Sequence, residues 1–183
     1  MILASWNVRG VNEPHKQKEV SSLIRKHSIS LLGLNETRTQ SSKHLSIIHA
    51  ICPSWRYFTN YSSNPSGRIW IMWDPSLLDV QILASSDQVI HIQAQDIQNQ
   101  STMMVSFIYG YNDYILHREL WASIRSFSYT IGTDPWLVLG DFNIVRFGDE
   151  KLGGDTSCPN YMEDLNLCCY DAGLEDLKSL GLS

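Results

Sequence analysis

The first third of the chain alternates between apolar and polar positions in a way that predicts a strand, a helix and a second strand. Residues 2–8 (ILASWNV) alternate around apolar positions and precede a loop rich in Gly, Asn and Pro, which is typical of a strand end. Residues 16–27 repeat apolar positions at helical spacing, and residues 30–36 (SLLGLNE) form an apolar run. The pattern therefore predicts a βαβ-like unit with its helix packed outside a sheet.

The middle of the chain is richer in strand patterns, separated by turn residues. Five such runs are present: 54–60, 67–74, 79–85, 88–97 and 102–111. Their β-branched and aromatic content, with Asn, Pro, Gly and Asp between them, predicts an antiparallel meander. The expected fold class is α/β or α+β.

The last third predicts two helices around one more strand. Leu116, Leu120, Trp121, Ile124 and Phe127 fall on one helical face, and the run WLVLGDFN at 136–143 is expected to be a buried strand. A final helix is expected over Asn160–Ala172, ended by Gly173. The sequence shows no repeat or interdomain linker, so we expect one domain over residues 1–183.

Composition places the chain among folded intracellular proteins. Its apolar fraction of 43% supports a core, and no segment has the length or hydropathy of a membrane span or a signal peptide. The four cysteines form no CxxC pair, which favours a reduced setting, nuclear or cytoplasmic. Vicinal Cys168 and Cys169 suit either a redox pair or buried helix thiols, and the second interpretation is the more common one.

The net charge sets an expectation for nucleic-acid binding. The chain carries a formal charge of −5, whereas Lys and Arg contacts to phosphate supply most non-specific affinity for nucleic acids. Any binding to DNA should therefore be weak and sensitive to salt.

Polar residues stand at the ends of four predicted strands. They are Asn7, Glu36, Tyr109, and the pair Asp141 and Asn143. Strand ends on a rigid sheet can aim such groups at one point, and a carboxylate with amide oxygens suits Mg²⁺, which uses few protein carboxylates. Residues two apart on a strand point the same way, so one of the last two could orient water while the other donates to phosphate.

Each of these residues also has an ordinary structural interpretation. A lone Asn at a strand end is commonly a turn residue, and a lone Glu there is commonly a solvated loop carboxylate. A lone Tyr is more often part of the core, with its hydroxyl hydrogen-bonded. Spacing alone therefore gives only a weak case for a site.

The motifs taken together, and in this order, give a more specific indication. SWNVRG, GLNETR, FIYGYN and VLGDFN resemble the exonuclease-endonuclease-phosphatase superfamily. GRIWIMWD, HRELW and EKLGGD make the chain most similar to plant LINE, or non-LTR, retrotransposon endonucleases. The resemblance covers essentially the whole chain and implies a four-layer α/β sandwich of the deoxyribonuclease I-like type.

The resemblance also implies a role for each residue of the predicted site. Glu36 is implied as the ligand of Mg²⁺ or Mn²⁺, with Asn7 supporting the metal and a nearby carboxylate. Tyr109 is implied to contact phosphate. Asp141 and Asn143 are implied to act on the nucleophile and the phosphate.

Two further positions in the matching motifs are implied to contact phosphate or DNA. They are Asn112, in FIYGYN, and Arg118, at the start of the next predicted helix. For Arg118, a solvated position at the helix start is an equally good interpretation.

The chain departs from the superfamily pattern in two places. Asn35 stands where Gln usually precedes the motif glutamate, and no histidine follows His117, although relatives end with an Asp-His pair. We therefore expect a C-terminally incomplete domain that lacks its last strands and has little hydrolytic activity. The uncovered sheet edges should favour a homodimer or another protein partner.

Three functions of different classes remain open at this stage. The first is a retrotransposon-derived, Mg²⁺-dependent DNA endonuclease with weak or no activity. The second is an inactive protein-binding or regulatory module on the same fold. The third is a working phosphodiesterase that acts on another phosphate ester and whose catalysis is restored by a neighbouring subunit. The acidic charge favours this substrate over tight binding to DNA.

Overall fold

The computed structural model describes residues 1–146 and 159–177, which fall into two compact units. The first unit comprises Met1–Gly110 and Thr133–Asn143, and the second comprises Tyr111–Gly132 and Ile144–Ser183. The EKLGGD motif and Cys158 lie outside the described residues. The expectation of one domain over residues 1–183 stays a prediction.

The first sheet of the first unit grows from the βαβ unit predicted at the N-terminus. Its elements are β1 (Leu3–Asn7), α1 (Pro14–His27), β2 (Leu31–Asn35), α2 (His44–Ile51), β3 (Arg56–Thr59) and β4 (Ile69–Trp73). The strand order is β1-β2-β4-β3, with β1 parallel to β2 and the other pairs antiparallel. The βαβ prediction is confirmed.

The second sheet of the same unit contains β5 (Leu78–Ser85), β6 (Val89–Asp96), β7 (Thr102–Tyr109) and β8 (Trp136–Asp141), in that order. Three of its strands form an antiparallel meander, and β8 runs parallel to β7. The prediction of one continuous meander is wrong, because β4 is bonded on both sides by β2 and β3 and offers β5 no free edge. The chain therefore starts a second sheet after Asp74.

Helix, sheet and sheet form three successive layers in this unit. Val20 and Ile24 of α1 and Ile47, Ile48 and Ile51 of α2 pack against one face of the first sheet. The opposite face packs on the inner face of the second sheet. Because β2 and β4 are buried on both faces, both strands read as continuous apolar runs in the sequence.

The two sheets approach closely at Gly33. A Cβ atom added there would lie 2.2 Å from Cδ1 of Phe107, so only glycine allows the Phe107 ring to pack at this point. The predicted α/β sandwich is confirmed.

Helix α2 was not predicted from the sequence. It has only eight residues, and Lys43 at its N-cap makes no side-chain cap hydrogen bond. Its second residue, Leu45, is 55% exposed, which weakens the apolar periodicity. Packing of its three isoleucines on the sheet holds a segment whose local signals are weak.

The second unit contains α3 (His117–Ile131) and α4 (Pro159–Asp171), which match the two predicted helices. The Cys168 thiol is buried and donates to the carbonyl of Trp121 at 3.7 Å. Burial raises the pKa of Cys168 to about 12, which supports the interpretation as an inert buried thiol. In the described part of the chain, no helix has the length and hydropathy needed to cross a bilayer.

Burial of His91 should make the stability of the protein depend on pH. The side chain is 1% exposed and its Nδ1 lies 2.7 Å from the Ser106 hydroxyl. Burial lowers the pKa of His91 from 6.5 to about 4, so the unfolded state binds more protons between these values. The free energy of unfolding should therefore be highest above about pH 6.5. It should be lower by about 2 kcal/mol at about pH 5.

Chemical denaturation across this pH range measures the effect. His91→Gln should lose most of the pH dependence and keep the smaller part due to His117, whose pKa burial also lowers. His27→Gln, at an exposed position at the end of α1, serves as the control and should keep the full dependence. A pH dependence unchanged by His91→Gln would contradict this account.

Candidate active site at the strand ends

Asn7 and Asp141 join the two sheets at their polar ends. Asn7 ends β1 in the first sheet, and Asp141 ends β8 in the second. The Asn7 side-chain amide donates to Oδ2 of Asp141 at 2.7 Å, across 134 residues of sequence. The side-chain oxygen of Asn7, Oδ1, accepts the backbone N–H of Arg9 at 3.2 Å. Both ends of the Asn7 amide are therefore fixed, and one of them holds the carboxylate of Asp141.

Gly140 allows β8 to reach the position that places Asp141. Its φ is +141°, and a Cβ there would lie 2.0 Å from the carbonyl oxygen of Ile108. The parallel register then sets Asp141 beside Tyr109, and the carbonyl of Asp141 accepts the N–H of Gly110 at 2.8 Å. The glycine of the GDFN motif thus lets Asp141 and Tyr109 end neighbouring strands side by side.

Glu36 follows β2 in a left-handed backbone conformation, with φ of +56°. Its N–H donates to the carbonyl of Arg68 at 2.9 Å, and its own carbonyl accepts the N–H of Gly10 at 2.9 Å. Its carboxylate, 17% exposed, is paired with the guanidinium of Arg38. A residue held in this sparsely populated conformation by bonds on both sides is typical of functional sites.

Tyr109 shows that the predicted residues share one electrostatic environment. Burial raises the pKa of its hydroxyl, and the negative charges of Glu36 and Asp141 raise it further. The positive charge of Arg68 and a hydrogen bond with the Asn143 side chain lower the pKa. Asn7 is paired in register with Asn35, the residue before Glu36, and it donates to Asp141, so Glu36 and Asp141 lie at the same end of the first unit.

Asn143 lies close to the site, although the geometry predicted for it is wrong. Strand β8 ends at Asp141, and Asn143 has a left-handed φ of +53°, so strand alternation does not apply to it. Its N–H donates to Oδ1 of Asp141 at 2.9 Å, as in an Asx turn. Its side-chain amide donates to the carbonyl of Gly110 at 2.6 Å. Strand β8 is also half-buried along its length, where a buried strand was expected.

Arg68 is a site residue that the sequence analysis missed. It precedes β4, and its guanidinium carbon lies 5.5 Å from the centroid of the Tyr109 ring. The only signal in the sequence was one charged residue at the start of the apolar run GRIWIMW. Arg68 and Arg38 place two positive charges beside two carboxylates, although the chain as a whole is acidic.

Asn35, the predicted departure from the superfamily motif, is a buried link between the sheets. It is fully buried and its amide nitrogen donates to the carbonyl of Ile108 at 2.8 Å. Its Oδ1 has no hydrogen-bond partner among the described residues. The shorter amide therefore still reaches across the sandwich, directly behind Asn7 and Glu36.

The two outer positions predicted to contact DNA lie in the second unit. Asn112 and Arg118 are both exposed, and Arg118 is the second residue of α3. Their roles stay predictions.

The oxygen-rich donor set at the strand ends fits a hard divalent cation. Mg²⁺ takes oxygen ligands and usually only one or two protein carboxylates, and the Glu36 carboxylate is of this kind. The Oδ1 of Asn35, which has no hydrogen-bond partner among the described residues, is a further buried oxygen beside Asn7 in the sheet register. Among the residues that the structure describes, no group of three or more His, Cys, Asp or Glu side chains is arranged to hold a metal ion.

The first unit is a two-sheet α/β sandwich whose strand ends carry carboxylate, amide and phenol groups. Residues 4–156 match the model of the Endonuclease/Exonuclease/phosphatase family. The chain belongs to this family. A search of curated proteins gives no match.

Solved structures share the fold at low sequence identity. The endonuclease domain of TRAS1, a telomere-specific non-LTR retrotransposon, is 11% identical with a TM-score of 0.70, over 92% of this chain and 69% of that one. The AP endonuclease LMAP from Leishmania major is 14% identical with a TM-score of 0.70, over 92% and 65%. D. rerio TDP2, solved with a single-strand DNA product, is 14% identical with a TM-score of 0.56, over 77% and 60%. The matched region therefore spans 69%, 65% and 60% of these three structures.

Replacing Asn7 by aspartate tests whether the Asn7–Asp141 contact holds the site together. Asn7→Asp removes the amide donor and sets a second carboxylate against Oδ2 of Asp141, so one of the pair should titrate with a raised pKa. The variant should be destabilised by about 1–3 kcal/mol at neutral pH and recover part of that loss in acid, where a shared proton restores a hydrogen bond.

Denaturant unfolding of Asn7→Asp and Asn7→Ala at two pH values measures this. The alanine variant is the control, because it loses the hydrogen bond without adding a charge. Equal pH dependence of the two variants would show that the residues at positions 7 and 141 are not in contact.

Proposed function

We propose that the chain carries the metal- and phosphate-binding part of a Mg²⁺- or Mn²⁺-dependent DNA endonuclease, a phosphodiesterase of the retrotransposon type. The observation that carries the proposal is the hydrogen bond from Asn7 to Asp141, which brings the Glu36 end of one sheet to the Tyr109 end of the other. Family membership and the shared fold with the TRAS1 endonuclease domain support it.

Each residue has a task that suits its chemistry. Asp141, held by Asn7, orients the attacking water and accepts its proton as the water oxygen bonds to phosphorus and the ester P–O bond breaks. Tyr109 and Asn143 donate to the phosphate oxygens. Glu36, with Asn7 beside it, would hold the cation, which supplies positive charge at the phosphate when bound.

We propose that Asn112 and Arg118, which belong to the second unit, contact DNA. Both are exposed, and both carry donors suited to phosphate oxygens of a DNA backbone. Because the net charge is −5, we propose that binding to DNA is weak and depends strongly on salt.

We also propose that these 183 residues by themselves hydrolyse DNA weakly or not at all. The resemblance implies an Asp-His pair late in the domain, and the sequence contains no histidine after His117. Residues that act as one catalytic unit lose most of their activity when one member is missing. The competing proposal is a protein-binding module, which would use the same fold without binding a cation.

Cation binding and plasmid nicking separate these proposals. Calorimetry with Mg²⁺ and Mn²⁺ should detect binding that Glu36→Ala weakens by at least about tenfold, since a first ligand matters at least as much as its outer partners. Nicking by the unaltered chain should be barely detectable, and Asp141→Ala should abolish it. Asp79→Ala, at an exposed carboxylate on β5, is the control and should change neither.

Absence of cation binding by the unaltered chain would favour the binding module. Vigorous nicking that survives both variants would contradict the assigned roles of Glu36 and Asp141.

A second proposal concerns the sheet edges, which we expect to support self-association. Among the described residues, β1 pairs with β2 alone and β8 pairs with β7 alone, and these edge strands lie next to each other. An edge strand can pair with a strand of another chain.

Sedimentation across the micromolar range should therefore show a dimer that Ser5→Lys on β1 weakens, because charged residues on an edge strand discourage pairing. Ser62→Lys on an exposed turn should leave the dimer unchanged. A monomer at all concentrations would overturn the proposal.

A further inference from the structure

The guanidinium of Arg68 lies over the ring of Tyr109, yet neither the motifs nor the roles assigned above include Arg68. Its central carbon lies 5.5 Å from the centroid of the Tyr109 ring, within the range of a cation–π contact. The contact crosses the sandwich, because Arg68 precedes β4 of the first sheet and Tyr109 ends β7 of the second. Arg68 is therefore on the same side of the first unit as both carboxylates.

The backbone around Arg68 is fixed on both sides. Its carbonyl accepts the N–H of Glu36 at 2.9 Å. The preceding Gly67 has a φ of +50°, and a Cβ there would lie 2.1 Å from the Tyr61 ring. The following Ile69 donates its N–H to Oδ1 of Asn60, which is fully buried. The position of the Arg68 backbone is therefore set by its neighbours and does not depend on its own side chain.

Accessibility distinguishes Arg68 from the tyrosine beneath it. Tyr109 is 7% exposed, whereas Arg68 is half-buried, so Arg68 is the more exposed residue of the pair. A planar guanidinium can stack on an aromatic face and still use its edge to donate to a phosphate. Arginine forms such charge-assisted, two-pronged contacts with phosphate better than lysine does.

The positive charge of Arg68 can attract a phosphate to a site that also contains carboxylates. Two carboxylates at the site repel a phosphodiester, and the net charge of −5 supplies no general attraction. The exposed Arg38 is already paired with Glu36. Arg68 is stacked on Tyr109, and its charge acts on the hydroxyl that we propose donates to phosphate.

We infer that Arg68 is a phosphate-binding residue of the site, which stacks on Tyr109 and contacts a backbone phosphate of the nucleic acid. This inference rests on the proposed function, since it names a further group that binds the same substrate. It assigns Arg68 to binding, and leaves proton transfer to Asp141.

Binding of a double-stranded oligonucleotide at several salt concentrations in Mg²⁺, followed by fluorescence anisotropy, tests the inference. Arg68→Ala should weaken binding by about tenfold, as expected for a lost charge-assisted contact. It should also reduce the magnitude of the slope of log affinity against log salt by about one. Arg68→Lys should keep the slope while binding more weakly than the unaltered chain, because it keeps the charge and loses the planar stack.

Two further variants show which property of Arg68 matters. Arg56→Ala removes the same charge from an exposed residue of β3, at the end of the first sheet away from the site, and should change neither affinity nor slope. Tyr109→Phe keeps the ring and should weaken binding without changing the slope. If Arg68→Ala fails to fold by circular dichroism, Arg68→Gln removes the charge and keeps a longer stem.

The outcomes separate the inference from the proposed function. If the unaltered chain binds the oligonucleotide and Arg68→Ala binds with the same affinity and slope, the assignment of Arg68 is overturned and the proposed function stands. If the unaltered chain shows no salt-dependent binding, both are overturned.

Discussion

The hydrogen bond from Asn7 to Asp141 is the contact on which the candidate site depends. It connects two sheets whose strands come from distant parts of the chain, and it lies at the ends that carry the polar residues. Behind it, Asn35 donates to the carbonyl of Ile108, and the ring of Phe107 fits against Gly33. The apolar faces bring the sheets together without direction, whereas these amide contacts fix which residues face each other.

Charge is organised locally in a chain that is acidic overall. The negative charges of Glu36 and Asp141 both raise the pKa of Tyr109, whereas the positive charge of Arg68 lowers it. Arg38 is paired with Glu36. Such an arrangement suits a phosphate ester together with a divalent cation, because carboxylates can bind the cation and guanidinium groups can bind the phosphate. An acidic protein can in this way offer a small site for a polyanion while its remaining surface repels the same ligand.

Some helices and strands are predictable from the local sequence pattern, whereas others depend on tertiary contacts. The βαβ unit, α3, α4 and β8 were predictable, because long periodic runs bounded by Gly, Pro or Asp mark them. Helix α2 was not, since its eight residues lack a cap and gain their stability from three isoleucines on the sheet. The division of the middle strands between two sheets was also missed, because hydropathy shows that a strand is buried but not which strand lies beside it.

The family, the α/β class and the identity of most residues at the strand ends can be read from the sequence, since motifs and strand periodicity are local properties of the chain. How these residues meet depends on the packing of the two sheets. The tertiary structure shows that Asn7 donates to Asp141, that Asn143 turns back onto Gly110, and that Arg68 stacks on Tyr109. These contacts join residues far apart in sequence, and their geometry follows from sheet packing and backbone conformation, which no short window of sequence encodes.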